Sequence, residues 1–402
     1  MGTASDIDQS YVLDLLKELV ATNSVNPTLG RGPGEAAIAR LLHDRLNSIG
    51  GLDVRTQPVA DGRSNVIAIL KGSGGGRSLM LNGHMDTVGV DGMIIDPFKP
   101  SIQNGLMHGR GACDMKGALA AMMGAVKSII DSGIRPRGDL IFSGVVDEEY
   151  KSIGIKKLVG EYKADGAIVG EPTDMRVATA HKGFVWIEIE VKGKAAHGSV
   201  PEKGIDAIAH AAKIMSAIEK LQPELASRVH PLLGTPKIHA STIQGGTDWS
   251  IIPDRCILRL ERRTIPGETV ASVMIEIEQI LQAIEQETPE FNAIAHSPYD
   301  TAPLETAESE RIVQTAQQVL AANMGTRVPV IGLPYWTDGA LLSSMGSIPT
   351  CLFGPGDIGV AHSANEYVNL ENVLTSARVY REIIQEYCSQ FTPHYDGQHE
   401  PW

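Results

Sequence analysis

The sequence predicts an α/β protein: a catalytic domain with a mostly parallel central sheet flanked by helices, interrupted by a smaller inserted domain with ferredoxin-like βαββαβ order. Three observations lead there. Short apolar strands alternate with amphipathic helices as far as Gly170, the pattern switches to strict in–out alternation at Gly183, and helix–strand alternation resumes from Glu308. At 402 residues the chain also exceeds the size at which a single core stops growing. The expected boundaries are 1–181 and 298–402 for the catalytic domain and 182–297 for the insert.

Apolar residues at helical spacing predict helices over 11–22 and 35–48, the second stopped by Gly50-Gly51. Strands are expected over 52–59, 65–71 and 78–82, separated by Asp61-Gly62 and by the glycine run 72–76. That run lacks the Gly-Lys-Ser/Thr ending of a phosphate loop and is read as a turn. Asn104-Gly105 marks a hairpin, and 116–132, dense in Ala, Met and Gly, is a helix able to pack closely on a sheet. Strands over 139–146 and 166–170 enclose a helix over 152–162.

In 183–191, Val185, Ile187, Ile189 and Val191 face one way while Trp186, Glu188 and Glu190 face the other, the pattern of a sheet with one wet face. A helix over 204–221, strands over 237–244 and 255–263, a helix over 268–287 and a strand over 290–296 complete βαββαβ. The catalytic domain then closes with segments 308–324, 327–332, 338–344 and 348–353 and a helix near 370–386, leaving a polar, loose tail over 392–402.

A formal charge of −13 argues against a nucleic-acid or anionic-membrane binder, which needs clustered Lys and Arg. No apolar run approaches the ~20 residues of a membrane span, and the N-terminus carries no signal-peptide or myristoylation pattern. The four cysteines are far apart without a C-x-x-C pair, which indicates neither a thiolate zinc site nor a disulfide framework and suits a reducing cytoplasm.

The chemistry centres on Gly109-Arg-Gly-Ala-Cys-Asp-Met-Lys-Gly117. Asp114 ends a glycine-loosened loop before a helix, where a plain N-cap is the bland role. His84 and Asp86, in Leu81-Asn-Gly-His-Met-Asp-Thr87, point the same way from an extended chain, so Asp86 can hold the second ring nitrogen of a metal-bound His84. Glu148 and Glu149 end a strand and, if extended, diverge, so one carboxylate can bind metal while its neighbour faces the water to be activated. Glu171 ends another strand, and His362 follows a third through the bend Gly354-Pro-Gly-Asp-Ile-Gly359. Each alone is unremarkable, but His84, Glu148, Glu149, Glu171 and His362 all follow strands at their carboxyl ends, where open α/β sheets place ligands. Two imidazoles and three carboxylates without a thiolate suit two zinc ions, or cobalt or manganese, about 3.5–4 Å apart around a bridging carboxylate.

These motifs, in this order, resemble the di-zinc peptidases and deacylases that include acetylornithine deacetylase, succinyl-diaminopimelate desuccinylase, aminoacylase and glutamate carboxypeptidase. The resemblance runs from about Tyr11 to Tyr387. It implies His84, Glu171 and His362 as terminal ligands, Asp114 as the bridge, Glu149 as the remaining ligand, Glu148 as general base and Asp86 as the partner of His84. It also implies a cis peptide after Asp114 and an insert that serves as lid and homodimerisation domain. Within Lys194-Ala-Ala-His-Gly198, His197 would polarise the scissile carbonyl across the dimer, and Arg263 would hold a substrate carboxylate. Ser250 stands where members often carry Asn before Ile-Ile-Pro, so a hydroxyl replaces an amide at that substrate contact. Thr337-Asp-Gly-Ala-Leu341 and Gly354-Pro-Gly356, with Gly356 as a further substrate contact, look most like deacetylase members.

The expected activity is hydrolysis of the amide of an N-acyl amino acid by metal-activated water. A carboxypeptidase or dipeptidase uses the same metals with a different acyl pocket. A non-catalytic, metal-stabilised binding protein is the alternative of another class, and Glu148 argues against it because a structural site needs no spare carboxylate.

Overall fold

Apolar runs with no alternating polar face become the middle of the principal sheet in the computed structural model, which describes residues 7–389. The chain divides into two compact units. One comprises residues up to Thr179, Thr306–Ile331 and those from Thr337, and the other Ala180–Glu305 with Gly332–Trp336.

In the first unit the strand order is Asp53–Ala60, Arg63–Leu70, Leu140–Val145, Leu79–His84, Gly166–Val169, Thr350–Leu352. The last four run parallel and are buried along their whole length, as strands covered on both faces must be. His84 pairs with Val145, Asn82 with Val169, and Leu352 with Val169. That register brings the carboxyl ends of these strands, and the loops leaving them, to one end of the sheet.

The helix Gly117–Asp131 is buried at nearly every position. Gly124 lets it approach Gln9–Ala21, because a Cβ there would lie 2.3 Å from Val12 Cγ2. Asn104 and Gly105, with φ of 51° and 78°, make the hairpin turn between Ser101–Gln103 and Leu106–His108. Tyr367–Asn369, not foreseen as a strand, pairs with Leu106–His108.

The second unit has the βαββαβ order, built from Gly183–Lys192, Ala207–Ser227, Lys237–Gly245, Arg255–Thr264, Val270–Glu287 and Ala293–Thr301. Its antiparallel sheet runs Lys237–Gly245, Arg255–Thr264, Gly183–Lys192, Ala293–Thr301, the ferredoxin-like arrangement. Val185, Ile187, Ile189 and Val191 pack with Leu258, Leu260, Ile214 and Ile277, while Trp186, Glu188 and Glu190 stay half-buried on the opposite face.

Boundaries shift where a distant partner decides them. The helix expected to stop at 221 continues to Ser227 through Pro223, its last turn anchored by buried Leu225. The strand expected over 327–332 shrinks to Ile331–Leu333. Short strands such as Ala178–His181 carry too few residues for a period to show. The tail 392–402 lies outside the described residues. Among the described residues no helix is long and apolar enough to cross a membrane, and all four cysteines are free and buried.

Candidate metal centre

At the shared strand end, the central strand Leu79–His84 delivers its last residue as a donor. His84 is buried, and its Nε2 lies 2.9 Å from Asp114 Oδ1 and 4.0 Å from Glu171 Oε1. Its Nδ1 is 2.9 Å from the Asp86 backbone oxygen, which fixes the ring, whereas the Asp86 carboxylate lies 3.7 Å away. The partner expected in the Asp86 side chain is thus its carbonyl. The carboxylate instead accepts from the backbone N–H groups of Glu148 (3.1 Å) and Glu149 (3.2 Å) and from Asn26 Nδ2 (2.8 Å).

Asp114 sits in a turn, Ala112–Lys116, ahead of the helix Gly117–Asp131, and the Asp114–Met115 peptide is cis. It caps nothing: the helix has Lys116 at its N-cap position and no side-chain cap. Its second oxygen, Oδ2, lies 3.2 Å from His362 Nε2, which also lies 3.2 Å from Glu149 Oε1. Two groups of possible ligand atoms result, His84–Asp114–Glu171 and Asp114–Glu149–His362, and Asp114 belongs to both.

Glu148 and Glu149 do not end the strand as neighbours of extended chain. The strand ends at Val145, Asp147 takes φ of 70°, and the two glutamates lie in the turn that follows, held from behind by Asp86. Asp147 is itself held by Arg63 Nη2 at 2.8 Å and Asn26 Nδ2 at 3.0 Å, while Glu35 accepts from Arg63 Nε at 2.7 Å. None of Asn26, Glu35, Arg63 or Asp147 is visible as a site residue in the sequence, because their partners lie up to 121 positions away.

The electrostatics call for a cation. Burial and the charges of Asp114 and Glu149 push the Glu171 carboxyl well above its usual range, and burial with Glu171 does the same to Glu148. Burial raises Asp338 to about 7, and it adds to the negative field at both. Burial works against charge on the imidazoles too, yet hydrogen bonds to Asp114 and Glu149 lift His362 to about 11, and those to Asp114 lift His84 well above its usual value. Asp114 is held low by His362 and His84 against the effect of its own burial. Glu171 Oε1 is buried with no hydrogen-bond partner. Crowded carboxylates, an orphaned oxygen and two imidazoles drawn towards positive charge fit a pair of divalent ions.

The remaining predicted residues are not among these possible ligands. Gly356, with φ of 101°, packs against the Asp114 loop, where a Cβ would lie 2.6 Å from Cys113 Sγ. In the second unit His197 is exposed, its Nδ1 2.8 Å from Ser199 Oγ, and Ser250 adjoins the same loop by accepting from Gly198 N at 2.7 Å. Arg263 donates to Glu261 Oε1 at 2.5 Å and lies 5.4 Å from the Phe184 ring centre. Sequence inspection passed over Glu366, four residues beyond His362, although a carboxylate in His-Ser-Ala-Asn-Glu was a visible signal.

A family model for peptidase family M20/M25/M40 matches residues 80–386. Acetylornithine deacetylase of Myxococcus xanthus is 31% identical over 332 residues, covering 81% of this chain and 84% of that protein. Among solved structures, aminopeptidase PepT from Bacillus cereus superimposes with a TM-score of 0.79 at 23% identity, over 95% of this chain and 99% of its own. The YXEP protein of Bacillus subtilis, described as a dinuclear metal binding peptidase from M20 family, gives 0.72 at 16% identity, over 94% and 99%. At these identities the two structures speak for the fold.

Proposed function

The chain belongs to peptidase family M20/M25/M40, and on that premise we propose that it is a deacylase of the acetylornithine deacetylase type, cleaving the amide of an N-acyl amino acid. The observation that carries the two-ion form of this proposal is the double engagement of Asp114, one oxygen towards His84 and the other towards His362.

His84, Asp114 and Glu171 would hold one ion and Asp114, Glu149 and His362 the other, with zinc favoured by the donor set and cobalt or manganese able to replace it. When bound, the ions supply Lewis acidity to the scissile carbonyl and acidify water. Glu148, raised in basicity by burial and by Glu171, takes a proton from the attacking water and later delivers it to the leaving nitrogen. Asp86 holds the Glu148 and Glu149 backbone so that the two side chains keep separate tasks. The family resemblance supports His197 as oxyanion donor in a homodimer formed through the inserted domain, Arg263 as the substrate-carboxylate group, and Ser250 and Gly356 as substrate contacts. Four free, buried thiols support a cytoplasmic setting.

The zinc-loaded protein should release acetate from acetylated amino acids faster than amino acids from dipeptides or acyl-glutamates. Turnover of dipeptides alone would overturn the deacylase assignment in favour of a peptidase. Glu148→Gln should lower kcat by about 10²–10⁴-fold with both ions retained, and unchanged turnover would remove Glu148 from the role of base.

A further inference from the structure

The stretch that carries Asp114 is a short turn, Ala112–Lys116, with non-helical backbone at Asp114 and Met115, and a side chain from the far end of the chain gathers its backbone N–H groups. Glu366 is fully buried. Its Oε2 accepts from Arg110 Nη1 at 2.7 Å and Gly111 N at 2.9 Å, and its Oε1 from Cys113 N at 2.9 Å and Asp114 N at 3.1 Å. Its backbone oxygen accepts from Gly109 N at 3.1 Å. Every bond from this residue to 109–114 therefore has Glu366 as acceptor.

The surroundings make it a junction. Immediately after it, Tyr367–Asn369 pairs with Leu106–His108, the strand that leads into 109–114. Four residues before it stands His362, with φ of 58° and a side chain 49% exposed. His84 ends a buried central strand and Glu171 follows another, so both have the sheet behind them. His362 lies on a loop, which Cys113 Sγ ties to the Asp114 stretch at the Asp357 carbonyl (3.3 Å) and Glu366 ties to it with the larger set of bonds.

We propose that Glu366 is a positioning residue that sets Asp114 and His362 against each other and thereby creates the second ion site, Asp114–Glu149–His362, while the first, His84–Asp114–Glu171, depends on it less. This rests on the two-ion reading above. Four donors converge on the carboxylate, so even Gln, its closest isostere, turns an NH₂ towards N–H groups that need an acceptor.

The test is calorimetric titration of the chelator-stripped full chain with zinc, alongside thermal unfolding without metal and steady-state kinetics with it. The wild type should take up two ions. Glu366→Gln should keep one tight ion and bind the second about 10–100-fold more weakly, with kcat reduced and KM little changed. Arg110→Met, which removes one donor, should shift the second ion in the same direction by less. Two ions bound by Glu366→Gln with wild-type affinity, or equal weakening of both, would overturn the proposal. So would failure of both variants to fold, since the carboxylate would then be a determinant of the fold. A wild type that takes up no zinc would overturn the two-ion reading itself, whereas a normal wild type with a normal variant would sink only the role of Glu366.

Discussion

Asn26 shows how a neutral side chain can govern a charged site. Its amide donates to Asp86 at 2.8 Å and Asp147 at 3.0 Å, and its oxygen accepts from Thr28 N at 3.0 Å. Asn26→Ala leaves two buried carboxylates short of a donor, and by the cost of unsatisfied buried groups it should destabilise the protein by roughly 1–3 kcal/mol. Urea unfolding of the metal-loaded variant checks this, and an unchanged midpoint would contradict it. Gly356 is constrained by space and by backbone at once. With φ of 101° and a Cβ position 2.6 Å from Cys113 Sγ, Gly356→Ala must move the segment that leads into Asp114. The expected cost is about 1–3 kcal/mol together with weaker zinc binding. Normal stability with normal affinity would show that this loop yields freely.

At the scale of elements, a tight helix contact and a helix start can be tested separately. Gly124→Leu drives a side chain into Val12 across the contact between Gly117–Asp131 and Gln9–Ala21, a buried place with no room for it. Overpacking of this kind costs typically ~1–3 kcal/mol, and a Leu accepted without loss in thermal unfolding would mean the helices can part. In the second unit, Thr269 and Ser272 cap the helix Val270–Glu287 reciprocally, so Thr269→Ala should cost ~1 kcal/mol and leave zinc uptake unchanged. The elements were legible wherever a period ran long enough to count, as in 183–191. The turn at Asp147–Tyr150 was not: Glu148 and Glu149 were expected as the end of a strand, but the strand stops at Val145 and a left-handed residue at Asp147 turns the chain before both of them.

Over the whole molecule, the site is a concentration of negative charge that the folded first unit has to tolerate. Ions held there would relieve it, and by linkage each should add about 2.7 kcal/mol when free metal is a hundredfold above its dissociation constant. Chelation should therefore lower the melting temperature measurably, and re-addition of zinc should restore it; a melting temperature indifferent to metal would argue against an ion at Asp114. Because the candidate donors lie in the first unit, substitutions confined to the second-unit cap should leave this metal-dependent shift intact.

The sequence by itself determined the α/β alternation, the βαββαβ insert and His84, Asp114, Glu171, His362 and one of the pair Glu148 and Glu149 as candidate donors, the choice of Glu149 and of Asp114 as bridge coming from the family resemblance. Strand periodicity and the habit of open sheets to gather ligands at strand ends are local rules that a linear reading can apply. Only the tertiary structure decided that Asp114 turns one oxygen to each imidazole, that the carbonyl of Asp86 steadies His84, and that Glu366, 252 positions from Asp114, fastens its loop. Those are hydrogen bonds between residues far apart in the chain, and a hydrogen bond depends on distance and direction, neither of which spacing along a sequence records.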